Sequence, residues 1–289
     1  MLKRHYYRYS MLAPGLCIFL IFFVWPAISN FFYAFTNLDA TFHYTRLVGF
    51  ENFISLFDDS SNSIAFKNTF IFTVVTTVGK VGLGFILANF VNQKLKTTNF
   101  LRSALFFPVI LSPIAVSLAF TALYHPSRGF INVLLENLHL GFLTQHWLTN
   151  SHIVMYSISF VEIWKWTGLT VILFLAALQT IPKEMLEAAK IDGATNWEQK
   201  RHIIFPMILP VVNTNIIISL IGGLKVFDIV YALTGGGPGN ASSVINTMIY
   251  KSFSQGRNGE ATAASLLLFV IILVLVSITN KYLNKDNRG

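Results

Sequence analysis

The sequence predicts an all-α membrane protein of about six spans, and three observations carry that prediction. Of the 289 residues, 54% are hydrophobic and only 12% charged, whereas a water-soluble domain carries roughly a quarter charged residues. The apolar residues gather into long, nearly uncharged stretches rather than alternating as in half-buried strands. The basic residues fall into short groups between those stretches, so the formal charge of +8 reads as membrane topology and not as a nucleic-acid-binding patch. A mean hydropathy of +0.59 also excludes intrinsic disorder.

A helix crossing the hydrocarbon core needs about 20 mainly apolar residues. Within one transmembrane domain spanning 1–289, the stretches that qualify are 11–35, 68–92, 103–124, 153–178, 207–226 and 261–282. The first follows Lys3, Arg4 and Arg8 as a signal peptide would, but it continues uncharged to Leu38. That is too long for a cleavable apolar segment, so it reads as a retained span. Pro14, Pro26, Pro108 and Pro113 lie inside spans, where intramembrane helices tolerate them. The single cysteine, Cys17, sits in an apolar run, so no disulfide framework or zinc site can be assembled.

Orientation follows from the loops, because Lys and Arg are retained on the cytoplasmic side. One set of connections and termini holds Lys3, Arg4, Arg8, Lys94, Lys96, Arg102, Lys183, Lys190, Lys200, Arg201, Lys281, Lys285 and Arg288. The opposite set holds only Arg46, Lys67, Arg128, Lys251 and Arg257. Both termini are therefore expected in the cytoplasm. The segment 130–142 then lies outside; Ile131, Leu134, Leu135 and Leu138 form one apolar helical stripe along the outer membrane face.

The longest cytoplasmic connection, 179–206, reads as two short helices and a turn. Thr180 is the expected N-cap of the first, with Pro182 in its first turn, and Met185, Ala188 and Ala189 form a small apolar face. Asp192 and Gly193 break this helix. Thr195 and Glu198 have capping-box spacing at the start of the second, and Pro206 and Pro210 mark the return to the membrane. On composition such a loop reads first as a helical connection that merely joins two spans; the other reading is a rigid knob that suits docking, on which Glu187 offers a carboxylate to an Arg or Lys of a partner.

In this loop Glu187-Ala188-Ala189 is followed after three residues by Gly193, after nine more by Ile203, and then by Pro206. The pattern resembles the EAA loop of permease subunits in binding-protein-dependent ABC importers. Phe205 departs from it, since Leu is usual there, but keeps an apolar contact. Phe50-Glu51-Asn52-Phe53, Asn68-Thr69, Arg102 to Pro108, Phe227-Asp228 and Leu233 to Pro238 extend the resemblance over nearly the whole chain, toward the carbohydrate branch of maltose, multiple-sugar and glycerol-3-phosphate permeases. The resemblance implies a type I ABC importer permease fold in a bacterial cytoplasmic membrane. Its expected partners are a second homologous permease, a cytoplasmic ATPase dimer and an extracytoplasmic sugar-binding protein. The chain itself would hold no cofactor, ATP and Mg being bound by the ATPase, and would not be an enzyme. The EAA residues Glu187, Ala188, Ala189, Asp192, Gly193, Ile203 and Pro206 would dock the ATPase and drive alternating access.

Ionisable residues at bilayer depth are costly and face protein or a water-filled path. Glu162 and Lys165, three residues apart, are expected to neutralise one another, and Lys80 needs a partner or a path to the surface. Glu162, Trp166 and Leu169 share one helix face; carboxylate and aromatic plane suit the hydroxyls and apolar ring face of a sugar. The resemblance places a sugar site near mid-membrane between this span and the next, which offers Ser219, Gly222 and Gly223. Two uses remain open for Trp164 and Trp166, a sugar contact or an interfacial aromatic belt. Asn213 and Asn215 are assigned to bonds between helices.

The glycine-rich 234–240 lacks the Gly-Lys-Ser/Thr of a phosphate loop and reads as an external turn. His43, His125, His139, His146 and His152 lack metal-ligand spacing. The competing function is an ion-coupled secondary transporter using Glu162 and Lys165; an enzyme has no paired acid and base to work with.

Overall fold

The computed structural model describes residues 9–39, 46–93 and 97–283. Lys3, Arg4, Arg8, Lys94, Lys96, Lys285 and Arg288, on which the expected orientation partly rests, lie outside the described residues, as does His43. Among the described residues the fold is helical, with no strand beyond an isolated bridge between Thr36 and Leu47. Five helices are long and apolar enough to cross a membrane, six if one bent pair is counted as a span.

The chain forms two compact units, one comprising Met1–Ser60 with Met248–Val270 and the other Ser61–Thr247 with Ile271–Gly289. In the first, α1 (Ala13–Tyr33) passes through a π-helical stretch at Leu20–Val24. Pro26 has no N–H for the preceding turn, and the register is taken up one residue earlier, where Trp25 N–H donates to the carbonyl of Leu20. In the first turn of α2 (Glu51–Asp58), the Asn52 carboxamide clamps the carbonyls of Ala34 and Thr36 at 2.9 and 2.8 Å.

The second unit carries α3 (Ser60–Val91), which begins eight residues before the apolar stretch that announced it. Its inward face is polar: Thr69, Thr73, Thr76 and Lys80 are buried. The hydroxyls of Thr69 and Thr73 donate to carbonyls one turn back at 2.7 Å each, while Phe70, Val78 and Ile86 point outward. This inverted amphipathicity suits a helix solvated by lipid. Asn68 donates to the carbonyls of Ala241 and Ser243 at 2.9 and 3.0 Å, anchoring the turn 234–243.

The stretch expected as one span over 103–124 is two helices, α4 (Thr98–Ile110) and α5 (Pro113–Leu123), bent by 99°. The cause is local. A residue before proline is driven out of the helical region, and Ser112 has φ −60° and ψ 136°. Next come α6 (Phe130–Asn137), α7 (Val154–Gln179), α8 (Lys183–Ile191) and α9 (Asn196–Leu224). The last of these contains a second π-helical stretch, Lys200–Ile204, again just ahead of a proline, Pro206. The second short helix of the loop 179–206 therefore does not stop before Pro206 but runs on into the fifth apolar stretch. The chain closes with α10 (Asp228–Thr234), α11 (Ile245–Ser254) and α12 (Asn258–Leu283).

Two apolar clusters hold the second unit. One gathers Phe72, Phe120, Ile158, Val161, Ile229 and Val230; the other gathers Phe174, Leu178, Ile181 and Ile208, with Leu186 and Ile204 packed against it.

Candidate translocation cavity and cytoplasmic knob

A cavity of about 400 Å³ is walled by α3, α5, α7, α9 and the start of α10, within the size range of small-molecule sites. Of the residues expected on a substrate path, Glu162, Trp166, Leu169, Ser219 and Gly222 line it together. Lys80, Pro113, Asn215, Lys225 and Asp228 complete the polar and bent parts of the wall.

Two expected residues are elsewhere. Gly223 lies against α3, where an added Cβ would stand 2.8 Å from the Thr73 Cα, so its role is close helix approach. Lys165 turns away to the broken end of α4, where its ammonium donates to the carbonyls of Leu111 at 2.6 Å, Val109 at 3.2 Å and Pro108 at 3.3 Å. In an unbroken helix the Val109 carbonyl would accept from residue 113, a proline without an N–H. Lys165 thus supplies the donor that the bend removes. Its ammonium also stands 4.7 Å from the centre of the Trp166 ring, a cation–π contact that holds the ring at the cavity wall.

The expected Glu162–Lys165 pairing is therefore corrected. Glu162 pairs with Lys80 at 3.5 Å, both side chains under 10% exposed, and this ion pair joins α3 to α7. Spacing of three residues made Lys165 a neighbour of Glu162 along the helix, but the α4 carbonyls compete successfully for its ammonium. Asn213 bonds between helices as expected, donating to the Leu283 carbonyl of α12 at 2.7 Å. Asn215 does not; its Nδ2 donates to Val211 within α9 at 3.0 Å, and its side chain belongs to the cavity wall. Trp164 is 40% exposed and meets Phe120 edge to face, away from the cavity lining.

The loop 179–206 is stiffened by local chemistry. Thr180 does not cap α8: its hydroxyl donates to Ala177 at 2.8 Å, and it ends α7 instead, because Pro182 already occupies the cap position of α8. At the other end of α8 the amides of Ala194 and Gly193 bond the carbonyls of Ala189 and Lys190 at 2.9 and 3.1 Å, a Schellman closure. That closure needs the left-handed φ of +82° found at Gly193, which favours glycine. Thr195 and Glu198 form the capping box. Gln199, buried, donates to the Ala194 carbonyl at 3.1 Å and pins the turn to α9; nothing in its spacing had singled it out.

Glu187, Ala188, Asp192 and Pro206 are exposed, and Ala189 and Ile203 half-buried. The knob also exposes Met185, Ile191 and Trp197, the last two by 87% and 70%. Of these, sequence reading had placed only Met185 on an apolar face. Leu186 and Ile204 fix the knob to the cluster shared by α7 and α9. Among the described residues no group of His, Cys, Asp and Glu is arranged to hold a metal ion.

Helical architecture, apolar spans and a polar wall inside the bundle define the class, an all-α multi-pass membrane protein with an internal cavity. The model of the family described as binding-protein-dependent transport system inner membrane component matches residues 80–289, and the chain belongs to that family. It is 33% identical over 281 residues to the multiple sugar-binding transport system permease protein MsmF of Streptococcus mutans, covering 97% of this chain and 96% of that one. It is 30% identical over 285 residues to the sn-glycerol-3-phosphate transport system permease protein UgpA of Escherichia coli, covering 97% and 95%. A crystal structure of a bacterial ABC transporter importing the acidic polysaccharide alginate contains a chain that superposes with a TM-score of 0.84 at 27% identity, over 96% of this chain and 94% of that one. A second structure of an alginate transporter, in complex with a pentasaccharide-bound periplasmic protein, gives 0.83 at 28%.

Proposed function

We propose that this chain is one of two permease subunits of an ABC importer for a sugar, oligosaccharide or sugar-like polyol, with both termini cytoplasmic. The second permease completes the path, an extracytoplasmic binding protein delivers the cargo, and an ATPase dimer binding ATP and Mg docks on the knob 179–206. One observation carries the reading: the knob is packed by Leu186 and Ile204 onto α7 and α9, the helices that present Trp166 and Ser219 to the cavity. A force applied at Glu187, Ala188 and Ala189 therefore acts on both walls of the path, and alternating access follows if ATP-bound partner prefers one arrangement. The ion-coupled alternative relied on a Glu162–Lys165 pair; Glu162 bonds Lys80 and Lys165 bonds backbone carbonyls, which leaves that alternative without its motivating pair.

Uptake of labelled sugar by vesicles containing the assembled transporter tests the reading. Uptake should stop on ATP depletion and continue in the presence of a protonophore when ATP is maintained; the opposite pattern would return the chain to the ion-coupled class.

A further inference from the structure

Lys165 is 1% exposed and forms no part of the cavity wall, yet two parts of that wall are tied to its ammonium. The first is the corner between α4 and α5. The ammonium bonds the carbonyls of Pro108, Val109 and Leu111, and Pro113, which opens α5, lines the cavity. The second is the Trp166 indole, which also lines the cavity and whose ring centre lies 4.7 Å from the same ammonium.

Trp166 has little else to orient it. It is half-buried, and among the described residues no aromatic ring stacks on it and its Nε1 donates to no protein acceptor. At a cavity wall an indole has more than one staggered rotamer open to it, and a cation held over its face is worth enough to select one. The carbonyl bonds fix where that cation stands. For a cargo that packs on the ring, apparent affinity falls with the fraction of chains whose ring is in place. Building on the proposed importer function, with Trp166 as a cargo contact, we infer that Lys165 is a positioning residue: it locks the Trp166 ring to the Pro113 corner, so that the aromatic plane is preset for the apolar face of a saccharide ring.

The test uses the assembled transporter in proteoliposomes with binding protein at saturation, offered labelled maltose, arabinotriose, sn-glycerol-3-phosphate and alginate pentasaccharide, and reads cargo carried per ATP hydrolysed. Lys165→Gln removes the cation and keeps a donor. It should lower that ratio about 3- to 10-fold for the best-carried ring saccharide, the range one cation–π contact supplies, and Lys165→Arg should recover most of it. In a Trp166→Ala background the same Gln change should lower the ratio no further, whereas a lysine that only holds the bend lowers both backgrounds alike. With the five tryptophans replaced by fluorotryptophan, the fluorine signal that Trp166→Phe removes should move in Lys165→Gln and return in Lys165→Arg. If the Gln variant does not assemble, Lys165→Met carries the same comparisons. An unmoved signal, an unchanged ratio, equal losses in both backgrounds, or carriage of only the acyclic sn-glycerol-3-phosphate overturns this inference alone. No ATP-driven uptake of any of the four overturns the importer reading and this inference with it.

Discussion

Removing either charge of the Lys80–Glu162 pair should destabilise the chain more than removing both. At 3.5 Å and an effective dielectric constant of about 20, the mutual attraction is about 5 kcal/mol. Taking both ions out of water costs several kcal/mol each, so the intact pair is close to break-even, but a lone survivor has no compensation. Lys80→Met strands a carboxylate and Glu162→Gln strands an ammonium, each among side chains less than a tenth exposed. Each single variant should lose about 3–5 kcal/mol, whereas Lys80→Met with Glu162→Gln should stay within about 2 kcal/mol of the native chain. Reversible unfolding of the reconstituted protein by SDS titration measures all four members of the cycle. Additivity within about 0.5 kcal/mol would mean instead that cavity water screens both charges and the pair does not hold α3 to α7.

Three further outcomes follow from the geometry. Lys165→Met leaves the carbonyls of Val109 and Leu111 without their donor, Pro108 keeping the Leu111 amide, and should lower stability by about 2–4 kcal/mol on the same titration, with Lys165→Arg retaining most of it; an unaltered Met variant would show that the bend holds itself. Gly193→Val forces a β-branched residue to φ +82°, at a cost of about 1–2 kcal/mol, and should loosen ATPase co-purification while the amount of membrane-inserted chain is unchanged. Trp166→Ala should change uptake kinetics more than complex assembly, and unchanged kinetics would assign the ring to packing.

What could be read from the sequence divides by the range of the interaction. The capping box at Thr195 and the helix stop at Gly193 are written in a few adjacent residues, and each formed where expected. The bend at Ser112 was equally local, since Pro113 dictates it, yet hydropathy averaged over 103–124 concealed it. Pairings between distant elements were not legible. Nothing in helical periodicity says that Glu162 meets Lys80, 82 positions away, or that Lys165 finishes a helix more than fifty residues earlier. Asn52 and Asn68 entered through resemblance alone; the fold gives them a physical reason, as each donates to two carbonyls of a turn that no helix satisfies. Gly223 was expected at the cavity through the resemblance, together with Gly222, but one residue along a helix turns the side by about 100°, enough to move it from the cavity to the Thr73 backbone.

We propose that ATPase work enters this chain through the exposed knob and reaches the cavity along α7 and α9. The most direct test is Glu187→Lys in the assembled transporter, read together as ATPase co-purification, membrane insertion and ATP-driven uptake. Weakened ATPase association and abolished uptake, with insertion intact, are expected. Normal co-purification and normal uptake in that variant would contradict this route.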